Sequence, residues 1–203
     1  MAEQKDDDLS GTSNATDTGP SVGTETAEMS NRPLSAGEIA LCMPIFKNSI
    51  DYARVKVHHS QYWWFFGLQD KNTAVTPNGE IFLPSPIFEE DFSQLAGSDQ
   101  MLFIHEMVHV WQYQLGYGVK ARRIQFWNPL PYNYALDPAN SLADFNMEAQ
   151  GNLIADYFSL AVLVTPELVH EPAYSGNLPL YQQVLQGFLA NPGDKNLLPR
   201  PDL

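Results

Sequence analysis

Apolar side chains recur at spacings of three and four positions in several parts of the chain, and each such stretch predicts an amphipathic helix. The first helix follows a capping box formed by Ser35 and Glu38, in which each residue satisfies a free backbone N–H of the other. Pro44 should kink or shorten that helix. Three further helices are predicted over about 98–116, 141–164 and 179–190.

Between the first two helices the pattern changes to one typical of strands. Tyr52, Val55 and Val57 indicate a strand, which ends at His58 and His59. The stretch 75–82 contains an Asn-Gly pair that favours a type I′ hairpin, and Pro77 places its first strand at a sheet edge. The sequence therefore predicts an α+β fold, with helices packed against a small N-terminal β-sheet or hairpin.

The aromatic stretch 61–68 is expected to form core or the wall of a pocket. With 203 residues, of which 44% are hydrophobic, the chain suits one folded domain. The net charge of −13 argues against a nucleic-acid partner or an anionic lipid surface. Apolar runs are too short for a membrane span. Cys42 is the single cysteine, which excludes an internal disulfide and a cysteine-based zinc cluster, so a metal would need His and carboxylate ligands.

Composition divides the chain into three parts. Residues 1–32 are rich in Ser, Thr, Gly and acidic residues, which predicts a disordered acidic tail. The folded domain is expected over 33–190, and a Pro-containing loop tail over 191–203. The N-terminus lacks the basic and apolar regions of a Sec signal, so we expect a protein that is cytoplasmic in its producer and, if exported, secreted by another route.

The second predicted helix contains a His-Glu-Met-Val-His motif. His105 and His109 lie one turn apart on the same helical face, where two neutral imidazoles can bind one Zn²⁺. Glu106 is placed to take a proton from a water molecule at such a site. The alternative is a chance match on an ordinary buried helix. Ligand type alone also allows a different divalent ion.

A third ligand must come from elsewhere, because the metzincin pattern fails: Gln112 and Leu115 stand where it has Gly and His. Glu148, in the first half of the next long helix, is the best candidate, and a second helix packed on the first would bring it to the metal. The alternative is a solvated helix charge. The remaining candidates, as weaker ligands or as groups that orient the imidazoles, are Asp144, Asn152 and Asp156.

Such a site would perform hydrolysis, with Glu106 as the general base. Donors for the oxyanion are sought among Tyr132, Tyr134 and His170, although packing is the simpler role for each tyrosine. A peptide substrate is expected to add as a strand to an exposed edge, supplied by the second arm of the hairpin. Its substrate-binding residues would be Gly79, Glu80, Ile81 and Phe82.

Four sequence stretches, at 34–40, 76–81, 105–114 and 146–150, resemble one group of bacterial proteins. These are the zincin-like metallopeptidase domains found as C-terminal extensions of VgrG spike proteins and as related type VI secretion effectors. The resemblance covers about residues 33–190. It implies a zincin-like fold, zinc held by the two motif histidines and the downstream glutamate, and catalysis by the motif glutamate.

The resemblance also implies an antibacterial toxin that hydrolyses peptide bonds in the periplasm of a target cell, together with a cognate immunity protein. The sequence has no spike of its own, so we expect loading through the tail, a separate spike or an adaptor. Two other functions stay open: a non-catalytic binding module of the same fold, and a zinc hydrolase acting on cell-wall peptides. The intact Glu106 argues against the binding module.

Overall fold

The computed structural model describes residues 25–63, 69–121, 130–201 and 203. Its described strands and helices are, in chain order, β1 Asn31–Pro33, α1 Ala36–Phe46, β2 Lys56–His59, β3 Ile81–Leu83, α2 Gly97–Gln114, α3 Met147–Phe158, α4 Leu178–Val184 and α5 Gln186–Ala190.

The small sheet has the order β1-β2-β3, with β1 antiparallel and β3 parallel to β2. The predicted hairpin is reduced to a single antiparallel bridge between Val75 and Phe82 on the outer side of β3. Gly79 has a positive φ of 75° but Asn78 does not, whereas a type I′ turn needs two such residues. The Asn-Gly pair therefore marks a wider turn that leads into a parallel strand.

The N-terminal border of the domain lies before residue 33. Arg32, in β1, forms two hydrogen bonds of 2.8 Å with the buried carboxylate of Glu38, which also completes the capping box of α1. Upstream of β1, the Thr26 N–H and hydroxyl donate to Glu90 at 2.5 and 2.6 Å. Residues 25–32 of the predicted tail are therefore part of the folded structure, while the rest of that tail lies outside the described residues.

Helix α1 continues through Pro44 to Phe46, so the predicted shortening does not occur. Helices α2 and α3 form the largest interface between elements in the described part of the chain. Residues 103–112 of α2 and 147–156 of α3 are buried without a break. Both helices are therefore covered on all sides, which is why their hydrophobic pattern is less one-sided than an amphipathic surface helix would give.

The predicted helix over 141–164 is interrupted at its start. A 3-10 turn covers Leu142–Asp144, and α3 begins at Met147 because the Asn146 side chain accepts from the N–H groups of Glu148 and Ala149 at 2.9 and 3.1 Å. At its other end a π-helical turn, Ser159–Leu163, leads to Val164 in the left-handed conformation.

The last predicted helix is divided at Leu185 into α4 and α5. Residues 191–201 pack on the domain: the Trp111 indole donates to the Pro192 carbonyl at 2.6 Å, and Leu197 is buried. No helix among the described residues is long and apolar enough to cross a membrane.

In the aromatic stretch 61–68, Tyr62 is buried, Trp63 is 72% exposed, and 64–68 lie outside the described residues. Residues 122–129, in the segment between α2 and α3, also lie outside the described residues.

Candidate metal centre

Three side chains on two helices converge at the α2–α3 interface. Glu148 Oε2 lies 3.3 Å from His105 Nε2 and 3.2 Å from His109 Nε2. All three residues are buried. Nitrogen and oxygen ligands at zinc bond lengths and tetrahedral angles are about 3.4 Å apart. The donor set and its spacing therefore fit a zinc ion.

Close packing of the helices makes this convergence possible. Glu148 occupies the first turn of α3, whose start Asn146 fixes. One turn further, Gly151 faces the His105 ring, and a Cβ there would lie only 2.5 Å from its Cε1 atom. Since atoms cannot approach so closely, α3 can reach His105 at this depth only with glycine at 151.

Each imidazole is held by a side-chain amide through its second nitrogen. Asn152 Oδ1 lies 2.9 Å from His105 Nδ1, and the ring of Tyr132 stacks on His105 at a centroid distance of 5.8 Å. Gln112 Oε1 lies 2.9 Å from His109 Nδ1. The sequence predicts Asn152 as an orienting residue, whereas Gln112 is singled out there only by its departure from the metzincin pattern. Its position one turn after His109 was the available signal.

Burial opposes protonation of His109, but the Glu148 carboxylate, with smaller contributions from Glu106 and Gln112, outweighs it and raises the pKa of His109 to about 9. The pocket between the two imidazoles and Glu148 therefore attracts positive charge. A proton or a divalent cation can satisfy it, and the two compete for the same nitrogen lone pair.

The motif glutamate is oriented from the sheet side of the domain. Thr76 Oγ1 donates to Glu106 Oε2 at 2.6 Å, and both side chains are buried. Thr76 follows the Val75 bridge residue, so the pairing with β3 fixes its position. The role of Thr76 cannot be predicted from the sequence, since nothing in it links a turn residue to a helix so far along the chain.

A cleft of about 400 Å³ opens beside the triad. His105 and Glu106 line it, together with Tyr132 and His170, two of the predicted oxyanion donors. Its other lining residues are Asn72, Thr73, Ala74, Ser98, Met101, Leu102 and Asn152.

Asp156 does not contact the ligand imidazoles. Its fully buried carboxylate accepts from the backbone N–H of His170 at 2.9 Å and lies 2.6 Å from the Nδ1 atom of the same ring. It also accepts from the hydroxyl of Tyr134, which is buried and does not line the cleft. Asp156 thus holds His170 at the cleft, and the Tyr134 hydroxyl is committed to that carboxylate.

The other predicted site residues lie away from the cleft. Asp144 caps the turn at Ser141 and pairs with Arg200 at 2.6 Å. Glu80 pairs with His58, whose ring stacks on Phe82, while Gly79 packs against Tyr113. None of the four residues 79–82 lines the cleft.

Ala74 lines the cleft beside the bridge to β3. Because the N–H and C=O of Val75 both pair with Phe82, those of its neighbour Ala74 point to the opposite side. They have no hydrogen-bond partner in the described part of the chain. The free edge therefore lies one strand position further out than the sequence analysis placed it.

Fold and site together define an α+β domain with one His-His-Glu candidate metal centre between two buried helices. No family model matches the chain. It is 38% identical over 148 residues to the type VI secretion system spike protein VgrG2b of Pseudomonas aeruginosa. The match covers 69% of this chain but 14% of that protein, so the chain spans about a seventh of the length of the spike.

The structure is also similar to the solved effector domain of Pseudomonas aeruginosa VgrG2b, with a TM-score of 0.57 and 35% sequence identity. The similarity covers 71% of this chain and 82% of that domain. The chain therefore belongs to the family of type VI secretion effector domains to which the VgrG2b effector domain belongs. The predicted resemblance to VgrG-associated effectors is confirmed at that level.

Proposed function

We propose that the protein is a zinc-dependent metallopeptidase with a zincin-like fold, and that it acts as a type VI secretion effector. One observation carries the proposal: His105, His109 and Glu148 converge at ligand spacing while Glu106 is held beside the same cleft by Thr76. Two imidazoles and a carboxylate leave a coordination position open, as in catalytic zinc sites.

Zinc bound there would supply Lewis-acid chemistry, lowering the pKa of water and polarising a substrate carbonyl. Glu106 then takes the proton of the attacking water and passes it to the leaving amine. Thr76 keeps the carboxylate aimed into the cleft during both transfers. Tyr132 and His170, which both line the cleft, are the donors for the developing oxyanion.

The substrate is a peptide segment in extended conformation. Ala74 offers one N–H and one C=O along the cleft, enough for a pair of hydrogen bonds to an added strand. Such pairing recognises the backbone of the peptide and not its side chains, so the walls of the cleft must determine which side chains are accepted. Met101 and Leu102, one turn before His105, give one wall an apolar surface.

In the cell, the protein would remain cytoplasmic in its producer, associate with a type VI spike or an adaptor, and cleave protein substrates in the periplasm of a target cell. A cognate immunity protein would protect the producer. Family membership supports the secretion route. The periplasmic site of action and the immunity partner follow from the resemblance stated above.

The test compares the wild type with Glu106→Gln, Glu148→Gln and, as a matched control on an exposed carboxylate, Glu167→Gln. We expect one zinc per chain in the wild type, Glu106→Gln and Glu167→Gln, and loss of zinc in Glu148→Gln. Cleavage of an unfolded protein substrate, and toxicity when directed to the periplasm of a test bacterium, should occur only in the wild type and the control.

Two outcomes would overturn the proposal. A wild type without bound metal removes the centre itself. Metal binding with toxicity unchanged in Glu106→Gln would favour a zinc-stabilised binding module. Cleavage of purified cell-wall peptides in place of the protein substrate would keep the hydrolase and change its substrate.

A further inference from the structure

Two glutamines are buried between the ligand helices, and the proposed mechanism assigns neither a role. Gln112, in α2, and Gln150, in α3, are both 0% exposed. Gln112 Nε2 donates to Gln150 Oε1 at 2.9 Å and to the Met147 carbonyl at 3.2 Å. Its oxygen lies 2.9 Å from His109 Nδ1. The two amides thus connect a metal-ligand imidazole to the interior of the helix pair.

The orientation of the two amides is fixed at Gln150, which is the end of this hydrogen-bonded series that lies away from His109. Gln150 Nε2 donates to two backbone carbonyls, Leu142 at 2.8 Å and Leu197 at 3.0 Å. Carbonyl oxygens only accept, so the NH₂ group of Gln150 must face them, and its oxygen must face Gln112. By the same argument the NH₂ group of Gln112 faces Gln150, and its oxygen faces His109.

We propose that this pair of amides is a positioning device that holds a proton on His109 Nδ1 and so presents the Nε2 lone pair to the metal. The proposal rests on the metal centre proposed above. A carboxamide oxygen accepts but cannot donate, so Nδ1 must carry hydrogen to satisfy it. Reversal of either amide would set oxygen against oxygen in a buried space and leave those acceptors without a donor.

The same pair of amides connects the C-terminal segment to the candidate metal centre. Leu197 follows the last helix by several residues, yet its carbonyl is one of the two acceptors that orient Gln150. His105 has a simpler arrangement, in which Asn152 Nδ2 donates to the Tyr132 carbonyl at 3.2 Å and Oδ1 faces the ring. The two ligands are therefore oriented from different parts of the chain.

The test uses the full chain with Gln112→Met, Gln150→Met and the control Ile154→Val, a buried α3 position that offers no side-chain hydrogen bond. Zn²⁺ and Co²⁺ affinities are measured at fixed pH by competition with a chromophoric chelator. Loss of a group that orients a metal ligand typically lowers metal affinity 10–100-fold. We expect a loss in that range for Gln112→Met, a smaller loss for Gln150→Met, and wild-type affinity for Ile154→Val.

Nitrogen-15 NMR of the His109 imidazole gives a second readout. A slowly exchanging Nδ1-bound proton should be present in the wild type and Ile154→Val and lost in Gln112→Met. Thermal unfolding identifies any variant that does not fold. If Gln112→Met does not fold, the metal affinity of Gln150→Met tests the inference in its place. Wild-type affinity in every folded glutamine variant, or an unprotected Nδ1 proton in the wild type, would overturn the inference. A wild type that keeps this proton but binds no divalent ion refutes the proposed function alone.

Discussion

Gly151→Ala provides the most demanding test of the helix-pair geometry. A Cβ at 151 would lie 2.5 Å from Cε1, 2.7 Å from Nδ1 and 2.8 Å from Nε2 of His105. Ordinary carbon contacts begin at 3.4 Å, so the ring must retreat by about 0.9 Å or α3 must move away. Metal–ligand distances tolerate deviations of about 0.2 Å. The added methyl group therefore displaces His105 far beyond what a bound metal allows.

Helix propensity works in the opposite direction. Alanine in a helix interior is about 1 kcal/mol more favourable than glycine, so a surface position would gain stability from this substitution. At 151 we expect lower stability in urea unfolding and a loss of at least tenfold in zinc affinity, because the 2.9 Å contact of His105 with Asn152 is also broken. Zinc affinity is measured by chelator competition, with peptidase activity as a second readout.

Gly176→Ala, outside the ligand-bearing helices, is the control. An added Cβ there meets no atom within 4 Å, so zinc affinity should remain at the wild-type value. If Gly151→Ala instead bound zinc normally and gained about 1 kcal/mol, the close approach of α3 to His105 would be refuted.

Three further predictions concern separate parts of the structure. Thr76→Val removes the hydrogen bond to Glu106 and should lower kcat 10–100-fold at unchanged zinc content, since hydrogen bonds to charged groups contribute about 1.5–3 kcal/mol. Steady-state kinetics and metal analysis test this, and an unchanged kcat would refute it. Val164, with φ 57° and 75% exposure, adopts a conformation that is costly for β-branched residues. Val164→Gly should therefore raise the free energy of unfolding by up to about 1 kcal/mol in urea titrations, and a decrease would contradict the strain. The raised pKa of His109, about 9, predicts that the stabilisation from its imidazolium pairing with Glu148 in the metal-free protein is fully present below pH about 6.5 and is lost as pH rises through about 9. Urea unfolding at pH 6.5 and 10 should show a larger decrease in the wild type than in His109→Gln.

The parts of the site that the sequence predicts are those encoded locally. Helical spacing alone places His105 and His109 on one face of α2. Glu148 and Asn152 are likewise one turn apart on α3. Residue type and period therefore suffice to nominate these side chains, and the structure brings all four together at hydrogen-bonding or ligand distances.

Contacts between distant segments are not encoded in any local period. Thr76 reaches Glu106 because the single antiparallel bridge between Val75 and Phe82 positions the residue that follows it, where the sequence predicts a longer hairpin. The same difference moves the free edge from residues 79–82 to Ala74. The role of Gln112 is hidden for a related reason: its amide is oriented by Gln150 and the Met147 carbonyl, both in the other helix of the pair.

For Asp156, the sequence predicts the helix face correctly but not the partner of its buried carboxylate. It lies two turns after Glu148, which suggested contact with the ligand imidazoles. Those turns carry it past the metal centre to the 165–170 segment, where it orients His170. The candidate metal ligands thus lie on buried helices. Tyr132 and His170, which line the cleft, and Thr76, which contacts Glu106, lie in connecting segments. Rigid elements fix ligands more accurately than loops. Substitutions of Thr76, Tyr132 or His170 should therefore alter substrate choice and rate first. Those of the candidate ligands, or of Gly151, Asn152 and Gln112 beside them, should alter metal affinity first.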